Sequence, residues 1–167
     1  MFYSGRIFTQ GGSLSANQAT AIIQSVNFLS VIIAAGLLGK YGRRTLMLYA
    51  TAACTIFIVL TGIFANINWF IGELLTTLIY VAAFEFGPGP VVWMYMSEIM
   101  NDKGVSIGTF LNWLFTLIVG LTTPGLFNKF TEKDEPGMPF IIFGVFCGLG
   151  TIFVYFFMKE TKGLSDA

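Results

Sequence analysis

Hydrophobic residues in this chain form long stretches without charge, separated by short polar segments. The charge-free stretches lie between Arg6 and Lys40, Arg44 and Glu73, Lys103 and Lys129, and Glu135 and Lys159. A helix needs about 20 consecutive apolar residues to span a bilayer. The pattern therefore predicts an all-α fold, a polytopic helix bundle that crosses a lipid bilayer several times.

The predicted bundle is a single domain that covers residues 1–167. Full-length helices are expected at about 18–38, 45–65, 69–97, 105–126 and 138–158. Residues 1–10 are too short to span and are interpreted as the remaining part of a further helix. A partial helix of this kind suggests that the chain is part of something longer.

Composition supports a membrane location and excludes several classes of function. Of the 167 residues, 55% are hydrophobic and 11% are charged, whereas soluble domains carry about 25% charged residues. The zero net charge gives no sign of a nucleic-acid partner. Without histidine, and with only Cys54 and Cys147 in apolar runs, we expect no metal site and no cofactor. The sequence also shows no nucleophile–base pair of the kind that would indicate an enzyme.

The segment 69–97 contains a carboxylate beside a helix breaker. Glu85 precedes the run Gly87-Pro88-Gly89-Pro90, and the segment would be about 44 Å long as one helix, so it must tilt, bend or protrude. If Glu73 and Glu98 mark the two interfaces, Glu85 lies near the midplane. Lipid offers no counter-charge and no water there. The arrangement favours a protein-lined, hydrated cavity at a broken helix, as in many secondary transporters.

The distribution of basic residues predicts the orientation. With strictly alternating helices, Lys40, Arg43, Arg44, Lys103, Lys159 and Lys162 fall on one side, and Arg6, Lys129 and Lys133 on the other. The positive-inside rule then places the 39–44 loop, the 98–104 loop and the C-terminus in the cytoplasm. The acidic loop 131–135 is expected outside, and we expect a multi-pass protein of the plasma membrane.

Three motifs in order carry a family resemblance: Lys40-Tyr41-Gly42-Arg43-Arg44, then Phe84-Glu85-Phe86-Gly87-Pro88-Gly89-Pro90 with Trp93 and Ser97-Glu98, then Lys159-Glu160-Thr161-Lys162-Gly163. Each motif is weak alone, but their order and membrane depth together are specific. Nearly the whole chain resembles the C-terminal half of the sugar porter (hexose transporter) family of the major facilitator superfamily.

The resemblance implies a set of sugar-contacting residues. These are Asn27, Phe84, Glu85, Trp93, Asn112 and Trp113. The chemistry agrees, because amides and carboxylates can satisfy sugar hydroxyls, and indole rings can stack on the C–H face of a sugar. The run Gly87-Pro88-Gly89-Pro90 is expected to act as a hinge.

A cytoplasmic latch is also implied, with Arg43, Arg44, Glu98 and Glu160 as an ion-pair cluster that holds the outward-facing state. The chain departs from the family pattern in places. Val92 stands where the family has proline, Gly39 stands where an acid is usual, and Lys159 replaces the proline before Glu160. The N-terminal half of the carrier, with any coupling acid, is missing from this chain.

Each of these residues has a simpler interpretation. Asn27 could bond a neighbouring helix, as amides do in bundles, and Glu85 could be a protonated structural carboxyl. Trp93 and Trp113 could be packing or interfacial residues. The prolines could merely curve a long helix, and the arginines could serve only to orient the chain.

The function that follows is transport of a hexose-type sugar by alternating access, as the C-terminal half of a uniporter or symporter. The expected partners are a small-molecule sugar, the lipid bilayer and the missing N-terminal half. The alternative is a truncated, transport-incompetent membrane fragment or a regulatory half-protein.

Overall fold

The computed structural model describes residues 16–162, and within that range every regular element is a helix. The helices are α1 (Ala16–Lys40), α2 (Arg43–Asn66), α3 (Phe70–Phe86), α4 (Pro90–Ile99), α5 (Asp102–Thr131) and α6 (Met138–Phe157). The predicted all-α helix bundle is confirmed. The expected partial helix at 1–10 lies outside the described residues.

Five segments are long and apolar enough to cross a membrane, and α3 and α4 together form one of them. These segments are Thr20–Leu38, Arg43–Asn66, Phe70–Ile99, Asp102–Thr131 and Met138–Phe157. The segment that contains α5 extends beyond the predicted 105–126 at both ends, because Asn101 caps its start and Lys129 lies inside its last turn. A charged residue near a helix end can reach the interface with its long side chain, so it does not terminate the helix.

Helix α2 is the centre of the described bundle and packs against both α3 and α6. Its buried stripe consists mainly of small residues: Ala50, Thr51, Cys54, Ile58, Thr61, Gly62 and Ala65. Small residues let helix backbones approach closely, which favours association in lipid. Hydroxyl pairs join the helices, with Thr61 donating to Thr76 at 2.9 Å and Thr55 lying 3.2 Å from Thr151.

Helix α1 packs mainly against α3, whereas α5 makes only sparse contacts with α4 and α6. None of the residues in α5 is buried. Most of the α5 surface is therefore free of protein contact within residues 16–162.

The chain breaks between α3 and α4, where the sequence predicts a bend. The N–H groups of Gly87 and Gly89 both donate to the Phe84 carbonyl oxygen, at 3.3 and 2.9 Å. Pro90 begins α4, a position where the missing proline N–H leaves no partner unpaired. Gly87 is buried against α2, so the break is a packed part of the bundle.

Candidate functional site

Asn27 of α1 and Glu85 of α3 meet directly, at the start of the break. The Asn27 side-chain amide donates a hydrogen bond of 2.6 Å to Oε1 of Glu85. Both residues are half-buried. The bond leaves the Asn27 amide oxygen and the second Glu85 oxygen available as acceptors, and one Asn27 N–H as a donor. Together the two residues can bond a polyhydroxylated molecule.

This pair lies in the middle of the spanning helices. Asn27 is about 20 Å from Lys40 along α1, at the helical rise of about 1.5 Å per residue, and the hydrogen bond places Glu85 beside it. The two side chains therefore share one depth. A polar pair at this depth needs a polar neighbour or a hydrated cavity.

The aromatic residues expected at the site are all accessible. Phe84 is 39% exposed, Trp93 is 42% exposed and Trp113 is 63% exposed. These fractions show that none of the three rings is packed into the core of the described bundle. A partner surface, a ligand or lipid can therefore cover them.

Asn112 lies on the wall of a cavity of about 670 Å³ between α5, α6 and the α1–α3 pair. Five phenylalanines also line this cavity: Phe115, Phe127, Phe140, Phe143 and Phe146. Ile23 and Val81 line it too, and each lies one helical turn from a member of the Asn27–Glu85 pair. The cavity that Asn112 lines therefore extends to the helix faces that carry the pair, while the described hydrogen bond of Asn27 and Glu85 is to each other.

The four residues expected to form a latch lie at the same end of the bundle, but they are bonded differently from the expected ion-pair cluster. Arg43 forms an ion pair with Glu98, with Nη2 and Nε at 2.8 and 3.0 Å from Oε1. The guanidinium of Arg44 donates to the Tyr155 carbonyl oxygen at 2.8 Å. Glu160 accepts the backbone N–H of Arg43 at 2.7 Å. The expected charge pairing therefore holds for Arg43 and Glu98, whereas Arg44 and Glu160 bond main-chain groups instead.

Sequence reasoning missed three other side chains at this end, which we call the arginine end. The Thr161 hydroxyl donates to Oε2 of Glu98, and the Lys162 ammonium donates to the Lys40 carbonyl oxygen. The Tyr95 hydroxyl accepts the Lys159 N–H at 3.2 Å. Thr161 and Lys162 both belong to the C-terminal motif that contains Glu160, and this was the signal available for them.

No group of three or more His, Cys, Asp or Glu side chains that could hold a metal ion occurs among residues 16–162. Cys54 is buried, and Cys147 is half-buried. Both are free thiols.

Comparison with known proteins assigns the chain to a family. The model of the family described as sugar (and other) transporter matches residues 1–165. The chain belongs to the sugar transporter family. This assignment confirms the predicted resemblance to the sugar porters of the major facilitator superfamily and makes the chain an integral membrane protein.

Individual relatives agree with this assignment. The chain is 32% identical to a facilitated trehalose transporter of Aedes aegypti over 99% of its own length and 22% of that protein. It is 31% identical to a putative polyol transporter of Arabidopsis thaliana, over 98% of the chain and 35% of the relative. These named relatives are transporters rather than enzymes, as expected. The chain spans about a third or less of these two relatives.

A solved structure also matches. A crystal structure of a D-xylose–proton symporter superposes with a TM-score of 0.86 at 27% identity, over 97% of this chain and 39% of the symporter. The likeness extends across the six helices described above and supports the sugar transporter fold.

Proposed function

We propose that this sugar transporter family member forms the C-terminal bundle of a carrier that moves a hexose-type sugar across a membrane by alternating access. The sugar would bind between this bundle and an N-terminal bundle. The contacts would come from Asn27, Phe84, Glu85, Trp93, Asn112 and Trp113. The segment Gly87–Pro90 would act as the hinge of the broken helix.

The observation that carries the proposal is the Asn27–Glu85 hydrogen bond at the depth of the helix break. The bond orients both polar groups while leaving other donors and acceptors available to sugar hydroxyls. The accessible rings of Phe84 and Trp93 flank the same break along the chain. Polar groups that fix orientation beside aromatic surfaces are typical of small-molecule sites.

The choice of sugar is supported by the chemistry of the relatives. Their names describe transporters of trehalose, a polyol and D-xylose, all of which present closely spaced hydroxyls. A hexose presents the same groups. We also propose that the protein resides in the plasma membrane, with the arginine end in the cytoplasm, since the lysine and arginine bias favours this orientation.

A second bundle is required because one wall does not enclose a substrate. Helix α5 buries none of its residues within the described part of the chain, and Phe84, Trp93 and Trp113 are accessible. Alternating access needs a second bundle for the first to move against. The rival interpretation is a transport-incompetent fragment or a regulatory half-protein. It predicts that no sugar binds at these residues.

Equilibrium binding of a radiolabelled hexose to a complete carrier that contains this chain tests the proposal. Asn112→Ala should weaken affinity by about 1 to 3 kcal/mol, or about 5- to 150-fold, because a buried polar partner loses its bond. Asn128→Ala is the control, since Asn128 is exposed on the same helix far from Asn112. Unchanged affinity of Asn112→Ala for every hexose tested would exclude Asn112 as a ligand.

A further inference from the structure

The cavity between α5, α6 and the α1–α3 pair continues the Asn27–Glu85 site toward the start of α3. The cavity has a volume of about 670 Å³. Val81 forms part of its wall and lies one helical turn from Glu85. Tyr80 and Thr77 extend the same wall further along α3. The cavity and the polar pair are therefore neighbouring parts of one larger space.

Thr77 brings to this wall a polar group that the folded chain leaves unpaired. Within residues 16–162, the Thr77 hydroxyl oxygen is buried and has no hydrogen-bond partner. Thr116 and Thr123, which also line the cavity, differ because their hydroxyls donate to carbonyl oxygens of their own helix. A buried hydroxyl without a partner is unfavourable, and a helical threonine has two accessible rotamers. Rotation about the Cα–Cβ bond of Thr77 can therefore offer its hydroxyl to a ligand in the cavity.

Tyr80 adds a phenol to the wall. The described hydrogen bond of Tyr80 uses its main-chain carbonyl oxygen, which accepts from the Cys54 thiol. The phenol hydroxyl can both donate and accept. Asn112, proposed above as a sugar contact, lines the same cavity. A lipid acyl chain has no group that could bond these side chains, whereas a sugar ring carries several hydroxyls.

Aromatic rings form much of the remaining wall. Phe127 and Phe140 meet edge to face, with 5.2 Å between their ring centroids. Flat apolar rings can pack against the C–H face of a sugar while nearby polar groups bond its hydroxyls. A mostly apolar wall with a few polar side chains is typical of a small-molecule site. The composition of the cavity therefore suits a sugar ring.

The separation of the polar groups along α3 determines how long the ligand must be. Thr77 lies eight residues before Glu85, which is about 12 Å along the helix at a rise of about 1.5 Å per residue. A single hexose ring is shorter than this distance and cannot bond both residues at once. Two linked rings can span it, with one ring at the Asn27–Glu85 pair and the other in the cavity.

We propose that the cavity is a second sugar subsite, in which Thr77 and Tyr80 bond the second ring of a disaccharide. The inference rests on the proposed function, because the subsite extends the site of the Asn27–Glu85 pair. Asn112 keeps the role proposed above. Thr77 and Tyr80 thereby determine specificity for the length of the sugar, since only a sugar of two rings reaches them from the pair.

Equilibrium binding of radiolabelled D-glucose, maltose and trehalose to a complete carrier that contains this chain tests the proposal. Maltose and trehalose each consist of two glucose units, and at least one of them should bind. Tyr80→Phe should lower the ratio of disaccharide affinity to D-glucose affinity about fivefold, because the second ring loses a neutral hydrogen bond. Thr77→Val should lower this ratio by a similar factor, whereas Thr77→Ser retains the hydroxyl and should keep the parent ratio.

The neighbouring threonine is the matched control. The Thr76 hydroxyl accepts from Thr61 and donates to the Gly72 carbonyl oxygen, so Thr76→Val should keep the parent affinity ratio. Thermal unfolding of this chain without sugar separates the two threonines. Thr76→Val should lower Tm because it removes a bonded hydroxyl, whereas Thr77→Val should not, because its hydroxyl is unpaired within the described residues. A purely structural role of Thr77 would instead lower Tm in Thr77→Val.

The proposal is overturned if neither disaccharide binds, or if folded Tyr80→Phe and Thr77→Val both keep the parent ratio; the cavity would then belong to lipid or to another part of the carrier. It is also overturned if Thr76→Val or Thr77→Ser lowers the ratio as much as Thr77→Val, or if Thr77→Val lowers Tm as much as Thr76→Val.

D-glucose separates this inference from the proposed function. A carrier that binds D-glucose and neither disaccharide retains the proposed function and loses the second subsite. A carrier that binds a disaccharide with the expected response to Tyr80→Phe, but does not bind D-glucose, retains the subsite and contradicts the proposed transport of a hexose.

Discussion

Gly87 lies in the break between α3 and α4 and packs closely against α2. The loss of stability caused by Gly87→Ala therefore shows how firmly the break is packed. A Cβ atom at this position would lie 2.3 Å from the Ala50 Cβ and 3.3 Å from the Leu46 carbonyl oxygen. Both obstacles belong to α2 and neither is the flexible end of a side chain. Gly87→Ala therefore forces α2 and the break apart, and overpacking of this kind costs about 1 to 3 kcal/mol.

Thermal unfolding in detergent, monitored by circular dichroism, measures this loss of stability. Each kcal/mol corresponds to about 2 to 4 °C in Tm for a chain of this size, so Gly87→Ala should lower Tm by roughly 2 to 12 °C. Gly36→Ala is the matched control, because a Cβ there meets nothing within 4 Å and alanine favours the helix.

A compensating change tests whether the contact with Ala50 is the cause. Ala50→Gly removes the closest obstacle, so the double variant Gly87→Ala with Ala50→Gly should be more stable than the sum of the single effects predicts. Strictly additive effects, or a Gly87→Ala protein as stable as Gly36→Ala, would refute the steric reasoning.

Two further predictions concern the membrane orientation and the chain alone. Cysteines placed at Glu132 and Lys40 should react with an impermeant maleimide from opposite faces of the membrane, as the lysine and arginine bias requires; labelling of both from one side contradicts the orientation. The purified monomeric chain in proteoliposomes should show no saturable sugar uptake and should tend to self-associate, because its site has one wall and its polar groups would face lipid. Saturable, sugar-specific uptake by the monomer would instead make it a self-sufficient half-transporter.

The helices were predictable because membrane insertion selects for long charge-free segments, a one-dimensional property of sequence. The break at Gly87–Pro90 was predictable for a similar reason, since proline and glycine act locally. The extra length of α5 was not predictable from charge alone, because Lys129 at a helix end is compatible with both a helix and a loop. The sparse packing of α5 could not be predicted, because it depends on tertiary contacts and the largely apolar sequence of the helix resembles that of its well-packed neighbours.

The candidate site, too, was only partly predictable from the sequence. The family resemblance assigned Asn27 and Glu85 to one predicted sugar site but gave no bond between them, and the structure joins them by a hydrogen bond. The bonding at the arginine end could not be predicted from the sequence. Charged residues in a sequence suggest pairs of opposite charges, whereas Glu160 and Arg44 bond main-chain groups. Thr161 and Tyr95 carry no charge and therefore gave little signal, although Thr161 bonds Glu98 and Tyr95 bonds the Lys159 N–H.

Counterflow uptake of radiolabelled D-glucose into proteoliposomes tests the central claim most directly. The carrier to use is a complete one that contains this chain, compared with the same carrier bearing Asn27→Ala and Glu85→Ala together. The account predicts saturable uptake that unlabelled D-glucose inhibits and its mirror image does not, and loss of that uptake in the double variant even though the variant reaches the membrane. Uptake by the double variant at the parent rate and affinity would contradict the claim that the Asn27–Glu85 pair binds sugar.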